Sequence, residues 1–282
     1  MRFFRTTLAP AVALVLVASP AQAQTDYYNT DRGRPLSVED ASVIERHAFE
    51  LQAAPLRLER PARGVTHWGI APELAWGILP RTQVELALPF AMEEDAASGR
   101  TLVALAGVEV EALHQLNVES LTLPSFAVGA GVHLRAGPLA PRRAVTTVRA
   151  LATRTLSWGR VHLNGSWSPG DALEPDDPAA GEAARWFAGL AADHAFVFRS
   201  LLVGAEVTAR ESLIDDGLTE WRAGAGIRRQ LSPRFAMDAG VDRRISAGGP
   251  AWGFTMGGAY AFALPGSRAF HQSSAAGQER AR

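Results

Sequence analysis

VTHWGIAPELAWGI, residues Val65 to Ile78, runs on into LPRT (Leu79 to Thr82) and then QVELALPFA (Gln83 to Ala91). In its first part Thr66, Trp68, Ile70, Pro72, Leu74, Trp76 and Ile78 are apolar or interfacial. The residues between them, His67, Gly69, Ala71, Glu73, Ala75 and Gly77, are small or polar. A period of two over this length is a β-strand with one oily face and one wet or crowded face. Past the Pro80-Arg81 turn the pattern resumes, with Val84, Leu86, Leu88 and Phe90 opposite Gln83, Glu85 and Ala87. The two runs make a hairpin with one greasy side, and the rest of the chain predicts the same unit repeated around a closed barrel.

The N-terminus indicates which solvent that side meets. Arg2 and Arg5 precede an apolar run from Leu8 to Ala18, and Ala21-Gln22-Ala23 is a small-x-small site. This is the pattern of a bacterial secretory signal peptide over residues 1–23. There is no cysteine, so neither a lipid-anchored N-terminus nor a disulfide framework is available. The chain has no lysine: all 28 basic residues are arginine, and the net charge is −1. A near-neutral balance without basic clusters argues against nucleic acid as a partner. After the leader no apolar run reaches about 18 residues, so no spanning helix is expected. An exported chain of alternating strands is then a soluble periplasmic β domain or an outer-membrane barrel.

Residues 24–44 are polar and turn-rich and read as a periplasmic arm or plug, with Ser37 placed to cap a short helix through Asp40. Residues 45–264 read as the barrel and 265–282 as a polar tail. Twelve antiparallel strands are expected, with both termini in the periplasm. In the fourth strand Ala104, Ala106, Val108 and Val110 fall on one face, and Glu109 and Glu111 on the other. The fifth alternates Phe126, Val128, Ala130, Val132 and Leu134 with Ala127, Gly129, Gly131, His133 and Arg135. Connections alternate between tight turns and longer loops rich in Gly, Pro, Asp and Arg, as in a membrane barrel with short periplasmic turns. Trp68, Trp167, Trp186, Trp221 and Trp252 fall at the loop-side strand ends, and Trp76 and Trp158 at the turn side. Two aromatic girdles are what a bilayer selects. A soluble sandwich would bury these indoles but gives no reason for their clustering at strand ends.

Several segments resemble the bacterial outer-membrane phenol-degradation (meta-pathway) family, whose members are often labelled transporters. The resemblance lies in RPLSVEDASVIERHAFELQ (Arg34 to Gln52), PELAWGILPRTQVEL (Pro72 to Leu86), TRTLSWGRVHLN (Thr153 to Asn164) and WRAGAGIRRQLSPRFAMDAGVD (Trp221 to Asp242). It implies a barrel of twelve-stranded type that passes small aromatic or hydrophobic solutes. These are barrel-building motifs and carry no catalytic signature. The setting implies outer-membrane lipid, lipopolysaccharide and the barrel-assembly machinery as partners, and no cofactor.

Other constellations are candidates for chemistry. His162, Asn164 and Ser166 share a face of the seventh strand, opposite Val161, Leu163 and Trp167, and so point to the lumen. Same-face neighbours on one strand stand roughly 6.6–7 Å apart, too far for a nucleophile and its base, so a polar lumen row is the simpler reading. Gly129/Gly131 and Gly224/Gly226 precede no helix and read as relief of crowding rather than dinucleotide loops. The seven histidines lack metal-ligand spacing, so no metal site is expected. Glu174, Asp176 and Asp177 read as a solvated outer loop, with a cation site shared with lipopolysaccharide as the lesser alternative.

The inward charges carry the functional expectation. Glu73, Glu85, Glu109 and Glu111 come from the second to fourth strands. Arg149, Arg210, Arg222, Arg228 and Arg244 come from the sixth to eleventh, with Arg135 at the boundary. An acidic wall facing a basic one either lines a polar channel or locks the lumen shut. A channel for small solutes is the leading reading. A closed structural barrel is the alternative, and a membrane-embedded hydrolase comes third.

Overall fold

The chain forms a closed antiparallel barrel of twelve strands, seen in a computed structural model that describes residues 29–53, 56–61, 67–95, 100–180, 183–214, 217–246 and 251–263. The signal peptide and the tail beyond Ala263 lie outside the described residues. The first four strands are each built of two segments. They are β1 (Ala48–Gln52 and Leu56–Pro61), β2 (His67–Ile70 and Glu73–Leu79), β3 (Thr82–Ala87 and Phe90–Asp95) and β4 (Arg100–Leu105 and Val108–Asn117). The others are continuous: β5 (Ser125–Leu134), β6 (Val145–Leu156), β7 (Gly159–Trp167), β8 (Ala184–Phe196), β9 (Leu201–Ser212), β10 (Thr219–Ser232), β11 (Phe235–Arg244) and β12 (Ala251–Ala263). Each strand pairs with the next, and β12 returns to β1 through Ala263↔Ala48 and Ala251↔Pro61.

The breaks in β2, β3 and β4 lie side by side because the sequence places poor ladder residues there. Pro72 and Pro89 have no N–H to donate. Ala71-Pro72 of β2 lies opposite Leu88-Pro89 of β3, and Leu88 donates to the Pro72 carbonyl at 3.0 Å. Both strands skip two residues, so the faces stay in phase. In β4 the break differs. Ala87 pairs with Glu109 and Phe90 with Leu105, so two residues of β3 face three of β4. The extra residue is a bulge, with Gly107 at φ +130°, a backbone conformation that favours glycine. The expected single face for Ala104 through Val110 is therefore wrong: the bulge flips the phase, and Ala106 is buried while Val108 pairs with the outward Leu134.

Above this bulge Arg100–Leu105 pairs with β3 alone. Among the described residues its other edge has no ladder to β5, whose pairing with β4 begins at Val108↔Leu134. The β5–β6 loop covers the base of this seam: Leu139 donates to the Leu105 carbonyl at 3.3 Å.

The barrel is inside-out relative to a soluble protein. Trp68, Ile70, Leu86, Phe90, Phe126, Val128, Leu163, Leu190, Ile227, Phe254 and Met256 are exposed on the outer surface. The buried residues of the strands are mostly small or polar, among them Ala75, Gln83, Glu111, Ala127, Arg149, His162, Asn164, Glu206 and Arg228, with Leu113, Leu151 and Leu202 the larger apolar ones. At the closure seam an aromatic ladder runs across three strands, with Phe49 stacked on Trp76 at 5.7 Å and on Phe262 at 5.4 Å.

Candidate functional site

The lumen is crossed by the segment preceding β1. His47 donates to the Gly77 carbonyl at 2.7 Å at the turn end of β2. From there the chain runs inward, and its amides are taken one after another by side chains of successive strands. Ile44 donates to Gln83 of β3 at 2.7 Å, Ala41 to Thr153 of β6 at 2.9 Å and Glu39 to Asn164 of β7 at 2.8 Å. Ser37 and Val38 both donate to the Glu206 carboxylate of β9. The Gly33 carbonyl accepts from Thr255 of β12. The Asp40 amide then donates to the Thr30 carbonyl at 3.2 Å, and the Thr30 amide to the Asp40 carboxylate at 3.1 Å, closing residues 30–40 into a loop that circles the lumen.

An extended segment with no ladder needs other acceptors for its amides, and the wall supplies them. The helix expected from the Ser37–Asp40 spacing does not form, because the Ser37 amide and its neighbour are both bonded to Glu206. Space for the loop comes from wall glycines. A Cβ on Gly226 would meet Pro35 Cβ at 2.6 Å, one on Gly240 would collide with the Pro35 carbonyl, and one on Gly189 with Val38. Leu36 and Val38 pack with Ala191 and Phe187, and Ala41 with Leu113, Ala127 and Leu151.

Charge completes the attachment. Arg149 pairs with Glu39 of the loop and with Glu111, and stands 3.6 Å from Glu85. Arg32 of the loop reaches Glu109 at 3.4 Å and Glu111 at 3.5 Å. Asp31 pairs with Arg34 at 2.7 Å and with Arg228 at 2.6 Å. Arg34 and Arg228 are the largest fully buried side chains, with Glu50 and Asp238 beside them. Arg160 holds Asp193 at 2.6 Å and Asp40 at 3.2 Å. Towards the long-loop end, Arg222 contacts Glu59, Asp242 and Glu220 at 2.5–2.7 Å, and Arg244 contacts Glu59 and Glu220. Arg210 lies 3.5 Å from Glu220.

The picture of an acidic wall facing a basic one is therefore corrected. The arginines of β10 and β11 find carboxylates on their own strands and on β1, and the loop brings both signs of charge between the walls. Glu50, Glu59, Asp193, Glu206, Glu220, Asp238 and Asp242, with Asp31, Arg32, Arg34, Glu39 and Asp40, are lumen residues beyond those expected from the sequence. Strand parity could have found those on strands; nothing local marks the loop's. Glu73 lies on the inward row of β2, whereas Arg135 follows the last residue of β5 and is exposed.

His162 and Asn164 do point into the lumen, but their hydrogen-bonding capacity is taken. His162 bridges Asp193 and Thr153, each at 3.0 Å, and Asn164 clamps Glu39 through both its main-chain groups. Among the described residues, no group of three or more His, Asp or Glu side chains is arranged to hold a metal ion. Asp176 is bound by Arg142 at 2.8–2.9 Å, which holds its carboxyl below the usual range, and Asp177 accepts from the Arg142 and Ala179 amides. Beneath them Val145, Leu173, Ala179 and Leu213 form a small apolar core on the loop side of the barrel.

Trp68, Trp167, Trp221 and Trp252 are exposed at loop-side strand ends, as are Trp76 and Trp158 at the turn side. Trp186 is half-buried beside Trp167, its indole N–H donating to Glu211 at 2.9 Å.

No family model and no curated protein matches the chain. Solved structures do. An outer membrane channel from Pseudomonas putida F1 aligns with a TM-score of 0.55 at 12% identity, covering 79% of this chain and 98% of that one. The KdgM porin in complex with disordered oligogalacturonate aligns with a TM-score of 0.50 at 9% identity, covering 76% and 99%. The fold is that of a bacterial outer-membrane β-barrel. At these identities the likeness is one of fold, and the outward apolar belt described above is then the surface that meets lipid.

Proposed function

We propose that this barrel is an outer-membrane channel for small solutes of aromatic or apolar character, whose passage requires the loop 30–40 to shift. The observation that carries this reading is the way the loop is held. It is joined to the wall mainly by hydrogen bonds and ion pairs, each individually reversible, with two small apolar contacts, one at Leu36 and Val38 and one at Ala41. The Pseudomonas putida likeness and the resemblance of Arg34–Gln52 and the other segments to the phenol-degradation family point the same way. The edge of Arg100–Leu105, which has no second ladder among the described residues, offers an apolar solute a second approach, from the membrane side.

The closed structural barrel is the competing reading, favoured by the full burial of Arg34 and Arg228. The two differ in whether the loop moves. A Val38→Cys, Gly189→Cys pair, placed where the two positions meet, gives a switchable tether in a chain without native cysteine. In planar bilayers and liposome-swelling assays with small phenols, the reduced protein should pass solute and the oxidised protein should not. Equal, negligible flux in both states would favour the structural barrel.

A further inference from the structure

The short-turn rim differs between its two halves. On the β2–β3 and β10–β11 turns the exposed leucines, Leu79 and Leu231, stand at the strand ends, and the tips, Pro80-Arg81 and Ser232-Pro233-Arg234, carry no large apolar side chain. On the β4–β5, β6–β7 and β8–β9 turns they are apolar, with Leu121 96% exposed, Phe198 fully exposed, and Val118, Leu123, Trp158 and Val197 all more than half exposed. These turns are not loose. Arg154, on the outward row of β6 with Val148 and Leu156, donates to the carbonyls of Ser120 and Leu121 at 2.6 and 2.7 Å. Thr155 binds Glu119 through its amide and its hydroxyl. The whole β4–β5 turn is thereby folded back against the end of β6. His194, on the outward row of β8, contacts the Trp158 carbonyl at 2.7 Å and packs edge-on against Phe196 at 4.7 Å. Phe198 follows in a single 3-10 turn, Val197–Arg199.

Built positions explain neither the exposure nor its one-sidedness unless something apolar covers them. The outward rows supply continuity: Leu156 leads to Trp158 and Phe196 to Phe198, so the collar extends the belt that already faces lipid. Arginines flank it. Arg199 lies in the 3-10 turn, and Arg229, on the outward row of β10, pairs in register with Leu201 just beyond it. Neither has an acidic partner among the described residues. A leaflet with apolar chains and anionic phosphates satisfies both features at once.

We propose that the turn rim from β4 to β9 is a docking collar for an anionic phospholipid leaflet, in which Leu121, Trp158 and Phe198 enter the acyl boundary and Arg199 and Arg229 hold headgroup phosphates. The barrel then sits deeper in that leaflet on this side than on the side of Ser232.

Because the chain has no cysteine, single labels are clean. Leu121→Cys, Phe198→Cys and, as a control, Ser232→Cys would each carry a bimane fluorophore in nanodiscs holding one barrel, with folding checked by heat-modifiability. In phosphatidylglycerol discs, iodide quenching at positions 121 and 198 should be several-fold weaker than at 232, and doxyl-lipid quenching correspondingly stronger. Equal iodide quenching at all three would overturn the collar. In phosphatidylcholine discs, or with Arg199→Gln and Arg229→Gln together, the shielding at 198 should fall. Identical shielding in both lipids would overturn the anionic preference, and shielding that appears only when two barrels share a disc would assign the surface to a second copy instead.

Discussion

Glu206, on the inner wall of β9, accepts hydrogen bonds from two consecutive amides of the lumen loop, Ser37 at 3.0 Å and Val38 at 2.9 Å. One carboxylate thus fixes the middle of a loop that makes no ladder of its own. Charge-assisted bonds of this kind contribute about 1.5–3 kcal/mol each. Glu206→Ala should leave the barrel heat-modifiable but loosen the loop. Single-channel recordings should show higher conductance and more open time than wild type.

Gly240→Ala tests the same attachment by steric means, since its Cβ would collide with the Pro35 carbonyl. The loop should give way before the wall, because the wall is held by full ladders on both sides. The measurement is protease accessibility of residues 30–40 in detergent-folded protein, expected to rise.

Arg149 is the shared counter-ion of Glu39, Glu85 and Glu111. Arg149→Met removes the ion-pair partner of Glu39 and Glu85 and leaves Glu111 with Arg32 alone, at a cost of about 3–5 kcal/mol. Adding Glu39→Gln and Glu111→Gln to that variant should recover part of the loss. Urea unfolding in lipid vesicles reads both effects.

On the outer surface, Val128→Arg puts a charge into the lipid-facing belt and should cost about 2–4 kcal/mol. Its neighbour Ala127 faces inward but is not a water-lined position, since it packs under Ala41 with Leu113 and Leu151. Ala127→Ser, which strand parity alone would predict to be silent, should therefore weaken folding measurably while remaining far milder than Val128→Arg. Equal folding yields for the two would contradict the assigned faces.

Glu109 and Arg222 sit in separate charge clusters, one with Arg32 and His133, the other with Glu59, Glu220 and Asp242. If ions pass near them, Glu109→Gln and Arg222→Gln should shift the reversal potential in opposite directions, towards anions and towards cations respectively. A shared direction would show that conduction avoids one of the two clusters.

The sequence determined the parts of this protein that are written locally. Alternation with period two reports which residues share a face, and it placed Trp68, Trp76, Leu86, Phe126 and Val128 outside and Glu85, Glu111 and Arg149 inside. Tryptophans at strand ends and the alternation of turns with loops gave twelve strands. It failed where one residue changes the phase: the bulge at Gly107 shows only against the register of β3. Tertiary structure alone decided the lumen. The amides of Ser37, Val38, Glu39, Ala41 and Ile44 are bonded to side chains from 39 to 169 positions away, and the Asp31–Arg228 pair spans 197. Nothing in the loop's own sequence encodes those partners, because a segment without a ladder or a helix takes its conformation from the groups that enclose it. Barrel closure brings Glu206, Asn164, Thr153 and Gln83 to one cross-section, and their side chains then set the loop's path.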